Sequence, residues 1–230
     1  MDRREEELRQ LYRARFSSGE EYRKKVWGVL CKIFFSRYVS RRAKILDLGA
    51  GWGEFISNIE ASEKFAMDLN PETKYHLPPE VSFLHQDCSQ PWSSESDTFD
   101  VIFTSNFLEH LPDKPSIERT AAEAYRCLKN NGLLICMGPN IKYLCGKYWD
   151  FWDHHIPLTE LSCAELLRST GFSIERTVAR FLPYSMSNGN EPPLFLVGLY
   201  LRLPVLWSFF GKQFLVIGRK STTPTSDSQS

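Results

Sequence analysis

Short apolar runs recur along this chain of 230 residues, and most are separated by stretches in which apolar residues recur every three or four positions. The short runs have the length and composition of buried strands, and the longer stretches have the period of amphipathic helices. Strands are predicted at 45–48, 64–67, 81–85, 99–105, 133–137, 172–180 and 213–218. Strands that alternate with helices indicate an α/β fold built on a mainly parallel sheet.

The same pattern divides the chain into segments. Apolar residues share one face of a predicted helix over 2–16, and a second helix is predicted over 20–38. We expect a helical cap at 1–42, a core domain at 43–220 and a disordered polar tail at 221–230. The cap would either cover a ligand site or only close one side of the sheet.

The loop after the first strand carries the strongest motif. Gly49, Gly51 and Gly53 stand at alternate positions, and a helical pattern follows at once. Glycine permits sharp turns and lets a ligand approach the backbone closely. A dinucleotide site would have the spacing G-x-G-x-x-G, whereas here the spacing is G-x-G-x-G, with Asp47 two residues before the first glycine. An acid at that position disfavours a phosphate and favours a cation, although a plain tight turn would use the same residues.

Further motifs follow in order. Asp68 ends the second strand, Asp87-Cys88 follows the third, Phe-Asp-Val-Ile at 99–102 forms the fourth, and Asn-Asn-Gly at 130–132 precedes the fifth. With the glycine loop, they resemble the motifs of class I S-adenosylmethionine-dependent methyltransferases over about 43–220. The resemblance implies a Rossmann-like α/β fold: a seven-stranded, mostly parallel sheet with the last strand antiparallel between strands five and six, and helices on both faces. In plan the chain is similar to small quinone-biosynthesis, sugar and natural-product O-methyltransferases.

The resemblance also implies the cofactor, S-adenosylmethionine, and its binding residues. The carboxylate of Asp47 would attract the cationic methionine end, and Asp68 would accept hydrogen bonds from the ribose hydroxyls. Asp87 would bind the adenine amine, and the main-chain amide of Cys88 a ring nitrogen. The full implied set is Asp47, Gly49, Gly51, Gly53, Asp68, Leu69, Asp87, Cys88, Ser105 and Asn106.

Methylation of a hydroxyl requires a group that takes its proton, and histidine is the usual one. His110 follows the fourth strand, and His154 and His155 lie in a predicted acceptor-side segment, 139–160. Asp153 could orient one of its two neighbours and raise its basicity. His154 and His155 are the preferred candidates for the base, and His110, which is expected to lie nearer the cofactor, is the second candidate. Each of the three could instead have a structural role. No spacing of metal ligands is present, so we expect no metal site.

Composition narrows the partners. The 28 Lys and Arg residues balance 28 Asp and Glu residues, so no basic field favours nucleic acid, and a small-molecule or sugar acceptor is expected. Six scattered cysteines without a C-x-x-C pair, and a charged N-terminus without an apolar signal core, favour a cytoplasmic protein. The sequence carries no signal for an oligomeric state.

An apolar run over 194–210 is interrupted by Arg202 and Pro204, and it is short for a membrane-spanning helix. Three interpretations stay open: buried core, a lid over the pocket, or a helix in peripheral contact with a membrane.

The sequence therefore predicts an enzyme that transfers a methyl group from S-adenosylmethionine to a hydroxyl of a small molecule, sugar or glycolipid-type acceptor. N- or C-methylation is one alternative, and a non-catalytic cofactor-binding partner subunit is another. The glycine spacing disfavours a nicotinamide dehydrogenase.

Overall fold

The computed structural model describes residues 19–184 and 191–221. The helix predicted over 2–16 and the tail from 222 onward lie outside the described residues. The described chain forms one sheet whose strands are β1 Lys44–Leu48, β2 Glu63–Asp68, β3 Val81–His85, β4 Phe99–Ser105, β5 Leu128–Pro139, β6 Phe172–Val178 and β7 Gln213–Lys220.

The strand order is β3-β2-β1-β4-β5-β7-β6. The first five strands in that order run parallel, whereas β7 is antiparallel to both β5 and β6. The predicted fold class is therefore confirmed, including the insertion of the last strand between strands five and six.

The sheet separates two apolar cores because side chains alternate along each strand. Ile45 of β1 packs into one core with Phe103 of β4, while Leu46 and Leu48 pack into the other with Ile102. Both faces are covered by helices, as a parallel sheet requires. The α-helices are α1 Glu20–Ile33, α2 Glu54–Asn58, α3 Lys114–Cys127, α4 Ile141–Leu144, α5 Glu160–Ser169, α6 Leu194–Arg202 and α7 Pro204–Phe210.

Two predicted helix boundaries change. Helix α1 ends at Ile33, five residues before the predicted end, and a 3-10 turn over Phe35–Arg37 follows. Phe34 and Phe35 are both fully buried, and adjacent residues of a regular α-helix do not face the same side, so the chain leaves the helix to bury both rings. Helix α3 begins at Lys114, two residues before Ser116, where the sequence pattern predicts its start. Asp113 caps it there by accepting a hydrogen bond of 2.7 Å from the Ser116 amide.

Strand β5 is longer than predicted at both ends. The Asn-Asn-Gly segment 130–132 precedes the fifth strand in the prediction, whereas in the structure it lies inside β5, where the register with β4 shifts between Phe99 and Val101. Asn131 has a φ of 65° at this irregularity of the strand, a region that asparagine tolerates better than most residues.

The glycine loop and the loop after β4 leave neighbouring strands at the same edge of the sheet. Leu48 pairs with Thr104, so the chain segments that begin at Gly49 and Ser105 start side by side. The strand order reverses here, with β2 on one side of β1 and β4 on the other. Open α/β sheets bind ligands at such a switch point, beyond the carboxyl ends of the strands.

Candidate active site

The glycine loop turns sharply and leaves its backbone open. Gly49, Gly51 and Gly53 have φ values of 70°, 57° and 72°, a region that other residues seldom adopt. A Cβ atom on Gly49 would lie 2.2 Å from the ring of Phe107, so this position has no room for a side chain. The amide of Gly51 donates a hydrogen bond of 2.9 Å to Asp68, which ties the loop to the end of β2.

A pocket of about 460 Å³ opens at this edge of the sheet. Ten residues proposed from the sequence line it: Asp47, Gly49, Gly51, Asp68, Leu69, Asp87, Cys88, Ser105, Asn106 and His110. Gly53, His154 and His155 were also proposed, and they are not among the lining residues. The residues proposed at the carboxyl ends of the first four strands therefore converge on one cavity.

Acidic groups dominate the inner end of the pocket. Asp47 is 3% exposed, and desolvation, followed by the charge of Glu54, raises the pKa of its carboxyl well above the usual range. Asp68 accepts hydrogen bonds from the amides of Gly51 and Asn70. A cationic ligand would relieve the repulsion among these carboxylates.

The cap helix contributes a residue that the sequence analysis did not single out. Arg23 of α1 lines the pocket, and its Nε lies 3.1 Å from Oε1 of Glu54, with both side chains buried. One signal was available: Arg23 falls on the same helical face as the apolar residues Val26, Trp27 and Leu30. A charge on a buried face requires a partner, and here that partner is in the wall of the pocket.

One buried polar atom in the pocket has no hydrogen-bond partner in the described part of the chain. It is Oδ1 of Asn106, whose amide group donates from Nδ2 to Ser105 at 3.0 Å. Asn106 also has a φ of 49°. An unmet buried acceptor costs about 1–3 kcal/mol, which a ligand with a donor would recover.

Asp87 and Cys88 form the far side of the pocket. Asp87 accepts hydrogen bonds from the amide and hydroxyl of Ser89, at 2.9 and 2.8 Å. Burial raises the pKa of the Cys88 thiol to about 12, so the thiol stays protonated. Its main chain is therefore the part of Cys88 suited to ligand binding.

These features fit S-adenosylmethionine, the cofactor implied by the resemblance. The molecule carries a positive charge and several hydrogen-bond donors: an ammonium group, two ribose hydroxyls and an adenine amine. The pocket offers buried acidic side chains and the unpaired acceptor Oδ1 of Asn106. It also offers the glycine loop, whose backbone a ligand can approach closely because no side chains intervene. When bound, the cofactor supplies a methyl group already activated on a sulfonium.

His110 stands on the pocket wall with Asp153. Its Nδ1 lies 3.0 Å from Oδ2 of Asp153 and 3.0 Å from the main-chain oxygen of the same residue. Burial lowers the pKa of His110, but the hydrogen bond to Asp153 and the charges of Glu109 and Asp153 together outweigh it and raise the pKa above its usual value. Asp153, expected to orient one of its neighbours in sequence, lies against His110.

The other two histidines take different places. His154 is buried, its Nδ1 lies 2.8 Å from the main-chain oxygen of Tyr148, and its ring packs against His110 with centroids 4.9 Å apart. His155 is exposed, and its amide donates to the main-chain oxygen of Glu109 at 2.8 Å. Both therefore hold the segment that carries Asp153 to the pocket.

The sequence predicted no metal site, yet the fold assembles a group with the right donors. Potential ligand atoms of Glu109, His110 and His154 lie within 4.8 Å of one another. Glu109 and His154 are far apart in the sequence, so no local spacing could reveal the group.

Comparison with known proteins assigns the family. A family model described as a methyltransferase domain matches residues 19–177, more than half of the chain. The chain is also 36% identical over 80 residues to the methyltransferase str2 of Strobilurus tenacellus, a match that spans 32% of this chain and only 28% of that relative.

Solved structures share the fold. A SAM dependent methyltransferase from Archaeoglobus fulgidus has a TM-score of 0.65 at 18% identity, over 89% of this chain and 99% of its own. A SAM-dependent methyltransferase from Methanosarcina mazei has a TM-score of 0.59 at 17% identity, over 82% of this chain and 97% of its own. The match to the family model covers both the glycine loop and His110, and the chain therefore belongs to the methyltransferase-domain family, whose methyl donor is S-adenosylmethionine.

Proposed function

We propose that this protein is an S-adenosylmethionine-dependent O-methyltransferase that acts on a hydroxyl of a small molecule or sugar, with His110 as the base. The observation that carries the proposal is the position of His110, on the wall of the cofactor pocket and hydrogen-bonded to Asp153 through Nδ1.

We assign to the residues at the cofactor end of the pocket the roles that the resemblance implies. Asp47 and Asn106 would face the ammonium group, Asp68 the ribose hydroxyls, and Asp87 and the main chain of Cys88 the adenine. Each of these side chains or main-chain groups lines the same cavity, which supports the assignment.

Proton transfer from the acceptor hydroxyl depends on the tautomer of His110. A neutral imidazole that donates its Nδ1 proton to Asp153 keeps Nε2 as an acceptor. Nε2 would then take the proton of the acceptor hydroxyl as its oxygen bonds to the methyl carbon and the carbon–sulfur bond breaks, with the electron pair of that bond remaining on the sulfur. The imidazolium that results is stabilised by the carboxylates of Asp153 and Glu109, which already raise the pKa of His110.

The rest of the wall excludes water and limits the acceptor. Aromatic rings of Trp27, Phe55, Phe103 and Phe107 line the cavity. A volume of about 460 Å³ has to hold both the cofactor and the reacting part of the acceptor, so the acceptor is small or enters by one small group. Alignment within such a site supplies much of the rate of a displacement reaction.

The test is methyl transfer by wild type and His110→Gln across a panel of hydroxyl-bearing acceptors. We expect turnover to fall by about 10²–10⁴-fold in the variant while calorimetry shows cofactor binding intact. His155→Gln is the matched control, since that side chain is exposed outside the pocket, and it should keep its turnover.

Two readouts decide between mechanisms. NMR of the product with methyl-labelled cofactor distinguishes a methyl ether from an N- or C-methyl product. If a chelator abolishes turnover of the wild-type protein, a metal ion is required. His110 would then act as a metal ligand, together with Glu109 and His154, and not as the base. Full turnover in His110→Gln would contradict the proposal outright.

A further inference from the structure

Helices α6 and α7 present an apolar surface that no part of the described chain covers. Gly198, Leu201 and Trp207 face the core, yet apolar side chains also point outward, with Phe195 72% and Phe209 70% exposed. The α6–α7 surface consists of the exposed residues Phe195, Leu196, Leu199, Val205, Phe209 and Phe210. A helix that is apolar all round is normally buried or in contact with lipid.

Within the segment that forms this surface, the charged residues are cations. From Leu194 to Lys212 the chain has no acidic residue, and its two charged residues are Arg202 and Lys212. A third cation, Arg180, donates hydrogen bonds to the main-chain oxygens of Phe209 and Gly211, which fixes its guanidinium at the end of α7. Basic groups beside an apolar helix face complement an anionic lipid surface.

The two helices are too short to cross a bilayer. They have nine and seven residues, and the helical conformation is interrupted between them at Leu203, before Pro204. In the described residues no helix has the length and apolar character of a membrane span. We propose that the α6–α7 surface docks onto an anionic lipid bilayer, with both helices lying in the plane of the interface.

The docked surface would be connected to the cofactor pocket through α1. Gly198 of α6 packs beside Ile33 and Val29 of α1, and α1 carries Arg23 and Trp27 into the pocket wall. On the other side, the guanidinium of Arg180 lies 4.8 Å from the ring centroid of Tyr143, in the acceptor-side segment. Two exposed tryptophans of that segment, Trp149 and Trp152, are of the type enriched at membrane interfaces.

The experiment is co-sedimentation of the full chain with vesicles of phosphatidylcholine, with and without phosphatidylserine. We expect binding that is stronger with phosphatidylserine and weaker at high salt. In the double variant Phe195→Glu, Phe209→Glu the apparent partition coefficient should fall at least about tenfold, because two large apolar side chains no longer enter the interface. Leu161→Glu is the matched control, since Leu161 is 61% exposed on α5, outside the surface.

Two further measurements make the result decisive. Circular dichroism and cofactor binding should be unchanged in the double variant, because both side chains are exposed and neither lines the pocket. Arg202→Gln, with Lys212→Gln, should reduce the preference for phosphatidylserine.

The proposal is overturned if wild type binds neither vesicle, or if Leu161→Glu loses binding as fully as the double variant. It is also overturned if light scattering shows a wild-type dimer that does not bind vesicles and that the double variant dissociates. In that case a second copy of the chain covers the surface.

Discussion

His110 and Asp153 are 43 residues apart in the chain, and their side chains meet at 3.0 Å on the pocket wall. A carboxylate in this position fixes the tautomer of the imidazole and stabilises its protonated form. The raised pKa of His110 is thus a direct consequence of the contact, since burial alone would lower it.

This contact predicts a pH dependence. Turnover of wild type should rise with pH through an apparent pKa above about 6.5, because the base must be neutral to accept a proton. In Asp153→Asn the midpoint should move to lower pH, since the charge that favours the imidazolium is gone. Asp150→Asn, an exposed carboxylate in the same segment, should leave the pH–rate profile in place. If the pH–rate profiles of wild type and Asp153→Asn have the same midpoint, the contact between His110 and Asp153 does not control the group whose titration limits turnover.

The raised pKa of His110 also determines how the free energy of unfolding depends on pH. A histidine whose pKa is higher in the folded state stabilises that state fully below its unfolded pKa of about 6.5 and loses the contribution as pH rises through the folded value. The difference in unfolding free energy between wild type and His110→Gln should therefore be largest in acid and diminish towards alkaline pH.

The glycine loop gives the third prediction at this scale. Gly51→Val places a β-branched residue at a φ of 57°, and Asp47→Ala removes a buried carboxyl group, so each should weaken cofactor binding by about tenfold or more, or about 1.4 kcal/mol. Calorimetry measures this directly. Gly146→Ala is the control, because a Cβ there would meet nothing within 4 Å. If folded Gly51→Val and folded Asp47→Ala both bind the cofactor with unchanged affinity, the cofactor does not bind at this loop.

At the scale of elements, α1 joins the core through the ion pair of Arg23 and Glu54 as well as by apolar packing. The pair is buried, with side-chain exposures of 11% and 9%. Breaking a buried pair is much more costly than breaking an exposed one, because the remaining charge stays desolvated.

Arg23→Ala should therefore lower the free energy of unfolding by about 3 kcal/mol, measured by urea denaturation. The double variant Arg23→Ala, Glu54→Ala should recover part of that loss, since no uncompensated charge remains. Lys24→Ala breaks the neighbouring exposed pair with Glu20 and should cost only about 0.3–0.5 kcal/mol. Equal losses for Arg23→Ala and Lys24→Ala would show that the buried pair contributes no more than a surface pair.

At the scale of the molecule, the pocket is assembled from α1, the ends of β1, β2, β3 and β4, and the segment after β5. These parts come together only in the folded chain, so the cofactor should bind the native state and not the unfolded one. A ligand of this kind stabilises the whole protein by mass action.

S-adenosylmethionine at about a hundred times its Kd should stabilise the protein by about 2.7 kcal/mol, which for a chain of this size raises Tm by roughly 5–10 °C. Thermal denaturation with and without cofactor measures the shift, and Gly51→Val should show much less of it at the same concentration. NAD should give no shift. A shift with NAD and none with S-adenosylmethionine would contradict the assignment of the pocket.

The sequence by itself determined the sheet, the glycine loop and the convergence of the cofactor motifs, because strand periodicity and turn chemistry are local and the ends of parallel strands meet at one edge. It misplaced the ends of α1 and β5, where burial of adjacent rings and a shift of strand register override the local pattern. Only the tertiary structure decided that Asp153 meets His110, that Arg23 meets Glu54 and that the α6–α7 surface is exposed. Each of these depends on the path of a long connection through space, and no local period encodes that path.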